Sequence, residues 1–177
     1  MTDNTRRVVV TGLGIVSPVG SSIDKAWGNI KNGVSGIRKI SSFDASSFSV
    51  QISGSVTDFN ADDYITPKNQ KKMDTFIHYG IGASVMAIKD SGIEITDDNR
   101  DRIGISIGSG IGGLPYIERN YGKFLEKGPR KISPYFVPSS IINMVSGNLS
   151  IMYGITGPNM SLVSACATGT HSIGDAA

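Results

Sequence analysis

Three short apolar runs, each stopped by small residues just before a helical pattern begins, constrain this chain most. They are Arg6–Gly14, Arg102–Gly110 and Met160–Ala165. The first carries Val8, Val9 and Val10 in succession, and the second Ile103, Ile105 and Ile107. A continuous β-branched run, rather than an alternating one, suits a strand of a parallel sheet covered on both faces. Helical patterns fill the intervals. Strands alternating with helices predict a mainly parallel α/β sheet. The 22 glycines fit this reading, since tight turns and close backbone approaches are where glycine is favoured.

The helices are read from their period and their ends. Ser21–Gly33 has a serine cap, apolar Ile23, Trp27 and Ile30, and a terminal glycine. Lys68–Gly92 is the clearest, with Met73, Phe76, Ile77, Ile81, Val85 and Ile88 in helical register. Leu114–Lys127 and Pro138–Tyr153 are expected helices, and Gly128–Pro134 is a loop between them. Residues 34–66 read as irregular, with short strands near Val50–Val56. Cys166–Ala177 begins a last helix. No repeat or low-complexity tract is present.

Hydrophobic residues make up 39% and charged residues 18% of the 177, a globular rather than a disordered balance. A net charge of +2 gives no global argument for nucleic acid. One cysteine excludes an internal disulfide. One cysteine and two histidines without metal-ligand spacing argue against a zinc site. Met1–Arg7 lacks the pattern of a signal peptide, and no apolar run reaches bilayer length. A reducing cytosol is the compartment expected for a free thiol.

Cys166 sits where a strand gives way to a helix, among Ala165, Ala167 and Gly169. Backbone N–H groups at a helix start stabilise a thiolate and can hold an oxyanion. The plain alternative is a buried structural cysteine. Gly108-Ser-Gly-Ile-Gly-Gly113 follows a strand and fits G-x-G-x-x-G, so a dinucleotide site is a rival. A basic loop, Glu126–Lys131, stands where a ribose-binding acid is needed, and the alternative is a tight turn that allows close packing. Lys68, Lys71 and Lys72 cluster at a helix start, and Arg130 and Lys131 in a loop. Such clusters are solvated faces unless both lie on one side of the molecule, where they suit an anionic partner. His171 lies about 140° round a helix from Cys166, so it reads as a packing or hydrogen-bonding residue. His78, near an apolar stripe, reads the same way.

Four motifs occur in order: Val8–Gly20, Gly108–Gly113, Gly128–Pro134 and Val163–Gly169. On these the chain closely resembles the N-terminal part of the β-ketoacyl-acyl-carrier-protein synthases, the elongating condensing enzymes of bacterial fatty-acid synthesis. The long-chain type II branch is nearer than type I, from the Gly110-Ile111-Gly112 turn and the Thr168-Gly169-Thr170 run. The resemblance implies a thiolase-like fold, with a five-stranded mixed sheet in strand order 3-2-1-4-5. Residues 1–177 would form an incomplete N-terminal domain ending in the nucleophile helix. It implies that Cys166 takes the acyl chain as a thioester before decarboxylative condensation with a malonyl-loaded carrier. Gly110 and Ile111 would line the acyl pocket, and Phe136 would reach into the pocket of a homodimer partner. Lys68, Lys71, Lys72, Arg130 and Lys131 fall where the family docks acyl carrier protein. No metal, nucleotide or other cofactor is implied.

Members of that family are more than twice as long, and their catalytic histidines and lysine lie in the second half. Strands 4 and 5 would lie there too, leaving strand 1 with an unpaired edge. The 177 residues alone are therefore expected to be inactive in condensation and prone to aggregate. Two alternatives stay open: a non-catalytic fragment that dimerises or binds carrier protein, and, further off, a nucleotide-dependent oxidoreductase.

Overall fold

The computed structural model describes residues 7–177, and Arg6 of the first apolar run lies outside them. Helix α1 spans Ile23–Lys31, with the Ser22 hydroxyl accepting from the Lys25 amide. Strands β1 (Ile37–Lys39) and β2 (Ile52–Gly54) pair antiparallel, so the strand expected near Val50–Val56 finds its partner in a stretch read as irregular. A short helix α2, Pro67–Gln70, precedes the long α3, Thr75–Ser91. Strand β3, Ile105–Ser106, leads to α4, Leu114–Lys127, with the bounds expected from its pattern. Helices α5 (Phe136–Ser140) and α6 (Met144–Tyr153) follow, then strand β4 (Asn159–Met160) and helix α7 (Thr168–Ala176).

The core lies where α3 crosses α6. Ile77 and Ile81 are fully enclosed, and Ile65, Val145 and Leu149 complete the cluster. Burying each such side chain contributes about 1.5–3 kcal/mol. The crossing is close because Gly80 leaves room for Val145. Helix α3 ends at Gly92, whose φ of 66° is the left-handed cap that glycine adopts without strain.

The expected parallel pairing of the second and third apolar runs is present but short. β3 and β4 pair in parallel, Ile105 opposite Asn159 and Ser106 opposite Met160. The Ile107 amide bonds the Met160 carbonyl at 3.2 Å. The Ile107 carbonyl is then taken by the Ser161 hydroxyl at 2.6 Å instead of a ladder amide, and the ladder stops.

The first run departs from expectation. Residues 7–14 join no strand pair among the described residues, and Val8, Val9 and Val10 are 59%, 66% and 79% exposed. The segment lies along α3 instead. The Leu13 amide bonds the Asp90 carboxylate at 2.9 Å, and Gly12 and Gly14 press on the α3 backbone at Ala87 and Ala83. A side chain at either glycine would overlap that backbone.

Two expected helices are each broken in two, by hydrogen bonds from distant residues. Between α2 and α3 the backbone of Asp74 is extended. The Lys72 carbonyl accepts from the Ser139 hydroxyl at 2.6 Å, so it does not serve a helix of its own. Between α5 and α6 Ile141 is extended, and the Ser140 carbonyl accepts from the Gly113 amide at 2.9 Å.

Candidate functional site

The site is built between β4 and α7, where the chain turns into the helix. Ala165 has φ of 51°, and it is the one non-glycine among the described residues in the left-handed region. That conformation costs an L-residue about 1–2 kcal/mol. Ala165–Ala167 then form a single 3-10 turn that runs straight into α7. Cys166 is its middle residue, and it is exposed. In this chain the thiol is not buried.

Thr168, itself 4% exposed, clamps both sides of the strained residue. Its hydroxyl accepts from the Ser164 amide at 2.9 Å and donates to the Ala165 carbonyl at 2.7 Å. The Ala167 amide bonds the Ser164 carbonyl at 3.1 Å. His171, one turn along α7, has its Nδ1 at 2.6 Å from the Ser164 Oγ, a hydrogen-bonding role in line with the sequence.

The glycine turn after β3 forms the second wall. A Cβ at Gly108 would overlap the Leu162 carbonyl and the Thr168 methyl, and one at Gly110 would come within 3.1 Å of the Ala165 carbonyl. At the other end of the turn, Gly112 has φ of 85° and its Cβ position is filled by the Ser140 carbonyl. Protein atoms press on Gly108, Gly110 and Gly112, so the turn serves close packing. It brings Gly110 against the Cys166 loop and leaves Ile111 72% exposed beside it.

Phe136 stands apart from the thiol loop in α5. With Ile117, Tyr121, Phe124 and Ile132 it lines an open apolar groove of about 280 Å³ along α4. The two basic clusters are neighbours. Lys72 lies over the Tyr135 ring, 5.7 Å from its centre, and Tyr135 follows closely on Arg130 and Lys131. Lys68, Lys71, Arg130 and Lys131 are exposed. Arg119, which the sequence reading did not single out, stacks on Tyr116 at 5.4 Å and reaches the Asp74 carboxylate at 3.5 Å. Asp74 is 1% exposed and its Oδ1 has no hydrogen-bond partner in the protein. No periodicity marks such a pair, because its members are distant in sequence.

His78 bonds the Gln70 carbonyl at 3.3 Å, a structural contact. Among the described residues there is no cluster of three metal-ligating side chains, and no helix long and apolar enough to cross a membrane.

Comparison with known proteins agrees with this architecture. The family described as "Beta-ketoacyl synthase, N-terminal domain" matches residues 5–177. The chain is 54% identical over 172 residues to 3-oxoacyl-[acyl-carrier-protein] synthase 2 of Vibrio harveyi, covering 97% of this chain and 41% of that protein. It is 50% identical to the enzyme of the same name from Coxiella burnetii, covering 97% and 42%. Among solved structures, the ishigamide ketosynthase/chain length factor superposes with a TM-score of 0.85 at 26% identity, over 96% of this chain and 43% of that one. A type II polyketide acyl-carrier protein in complex with its ketosynthase superposes with a TM-score of 0.76 at 26% identity, over 95% and 44%. The fold is thus that of the ketosynthases, and the chain spans about two fifths of the length of these relatives.

Proposed function

This chain belongs to the beta-ketoacyl synthase family, and from that premise we propose that it carries the acyl-accepting half of a 3-oxoacyl-[acyl-carrier-protein] synthase of fatty-acid elongation. One observation supports this most: an exposed thiol, Cys166, on a strained left-handed turn that opens directly into a helix.

The step follows from ordinary thioester chemistry. The Cys166 thiolate adds to the carbonyl of an acyl group carried on acyl carrier protein. The oxyanion is held by N–H groups that have no helical acceptor, with that of Cys166 as one donor. Collapse breaks the old carbon–sulfur bond, and the departing carrier thiolate takes up a proton. The acyl chain is left on Cys166 as a new thioester. Gly110 and Ile111 then border the acyl chain, and Phe136 reaches toward a homodimer partner. In the second half-reaction a malonyl group loses carbon dioxide and its carbanion attacks the thioester, giving a 3-oxoacyl product. His78 and His171 each use one ring nitrogen in a structural hydrogen bond, to Gln70 and Ser164, and the family resemblance assigns stabilisation of that carbanion to histidines of the family's second half.

Lys68, Lys71, Lys72, Arg130 and Lys131 are the proposed docking face for the acidic carrier. The contact of Lys72 with Tyr135 supports a single continuous patch. Residues 1–177 form the N-terminal part of a thiolase-like domain, and the cytoplasm is its proposed location.

Intact mass before and after incubation with acyl-loaded carrier protein tests the reading. A gain of one acyl group, lost in Cys166→Ser, is expected. No adduct, or an adduct that persists in the variant, would refute it.

A further inference from the structure

Arg119 has no part in the docking face described above, yet its contacts tie it to both basic clusters. We propose that Arg119 is a further cation of that face, held in one orientation so that its guanidinium receives a carboxylate of the acidic carrier protein. The proposal rests on the carrier docking at those clusters.

The placement comes from one serine. The Ser133 hydroxyl accepts from the Tyr116 hydroxyl at 2.8 Å and from the Tyr135 amide at 3.1 Å. The side-chain oxygen of buried Asn120 accepts from the Ser133 amide at 2.8 Å. Two tyrosines are thus fixed to one residue, two positions after Lys131. Each ring carries a cation: Lys72 lies 5.7 Å from the centre of Tyr135, and Arg119 lies 5.4 Å from the centre of Tyr116. From the other side, Arg119 Nη2 reaches the carboxylate of Asp74, two positions after Lys72, at 3.5 Å. The outward direction of the face follows from charge. Lys68, Lys71, Lys72, Arg130 and Lys131 form no ion pair among the described residues, and unpaired cations do not pack into an interior.

Arg119 differs from the lysines in being fixed beforehand. A lysine gives up the freedom of a flexible stem when it binds. Arg119 has already given it up, to a ring face and to a carboxylate. Asp74 is 1% exposed and its Oδ1 has no partner, so losing the guanidinium would strand a buried charge. Only Nη2 is engaged among the described residues, and Nη1 keeps its donors for a carboxylate from outside. Charge and fixity make opposite forecasts for Asp74→Asn. Removing a negative charge should tighten binding of an acidic partner, whereas loosening a fixed guanidinium should weaken it.

The test titrates acyl carrier protein, with and without its prosthetic group, against the intact protein and its variants. No acyl group is used, so the readout does not depend on Cys166. Arg119→Ala is expected to raise Kd about tenfold, as for an arginine anchor, and Arg119→Lys nearly as much. Asp74→Asn is expected to raise it about threefold, with every cation still in place. Arg119→Ala/Asp74→Asn regains stability against urea but not affinity, which a merely structural role would restore together. Arg119→Ala or Arg119→Lys equal to wild type, or Asp74→Asn binding more tightly, overturns the proposal. A loss seen only when the prosthetic group is present assigns the anion to that group and overturns it too. Wild type that binds no carrier overturns the docking reading and this proposal with it, whereas unchanged binding in the Arg119 variants removes this proposal alone.

Discussion

Replacing Gly108 by alanine asks how closely the glycine turn must approach the thiol loop. The added methyl would overlap the Leu162 carbonyl oxygen and the Thr168 methyl, and come within 3.0 Å of the Ser172 hydroxyl. One of these is backbone and the others are the buried side chains at the start of α7, so none can swing aside. Gly108 is not at positive φ, and the penalty is therefore steric rather than conformational. Overpacking of this kind costs about 1–3 kcal/mol, and three obstructed atoms put Gly108→Ala near the upper end. In a chain of this size 3 kcal/mol lowers the melting temperature by about 6–12 °C. Gly122→Ala is the control. It lies within α4 with nothing inside 4 Å of its Cβ position, so the same substitution there is expected to stabilise by about 0.5–1 kcal/mol. Denaturant unfolding followed by circular dichroism measures both, and the rate of Cys166 acylation should fall in the first variant only. A Gly108→Ala protein as stable as wild type, or less damaged than Gly122→Ala, would refute the reasoning.

Two further perturbations separate charge effects. The Lys25 ammonium at 2.6 Å, together with the Ser21 hydroxyl, holds the Asp58 carboxyl at about 2, below its ordinary 3.8. A depressed value means the contribution is present above the unfolded-state value and is lost as pH falls from about 4 through 2. Solvent screening limits it to about 0.5 kcal/mol, so Asp58→Asn should lose that much at pH 7 and less at pH 3, and a gap that widens on acidification would contradict this. Arg119→Ala removes the ion-pair partner of the buried Asp74 and should cost about 2 kcal/mol in urea unfolding, less than for a fully buried pair because Arg119 is 54% exposed. Adding Asp74→Asn should recover part of the loss, and no recovery would count against a stranded charge.

Much of this molecule was legible in its sequence because much of it is locally determined. The bounds of α4, the glycine stop of α3 and the serine cap of α1 follow from spacing and end residues. Cys166 at a strand-to-helix turn is equally local, and so are the basic clusters. What the sequence did not reveal is set by partners far along the chain. Nothing in the apolar period of residues 68–92 announces that Ser139 will take the Lys72 carbonyl. Nothing in 138–153 announces the Gly113 amide at Ser140. The valine run has the propensity of a strand, but a strand also needs a ladder, and residues 8–10 meet none among the described residues. The left-handed Ala165 is invisible for another reason, since alanine gives no sign of φ above zero.

The two bonds that break the helices also form a relay from the basic face to the glycine turn. Ser139 donates to Lys72 at 2.6 Å, and the next residue, Ser140, accepts from Gly113 at 2.9 Å. Three of the four groups involved are main chain. Sequence drift can therefore rewrite the side chains of residues 72 and 140 without touching the relay, so the charge pattern of the face is free to change. Ser139 has no such freedom, since it is fully buried and supplies the one side-chain donor. Gly112 has none either, because any Cβ there would strike the Ser140 carbonyl. Among related chains, variation should pool at 72 and 140 and halt at 112 and 139, so that the outer face evolves while the frame beneath it stands still.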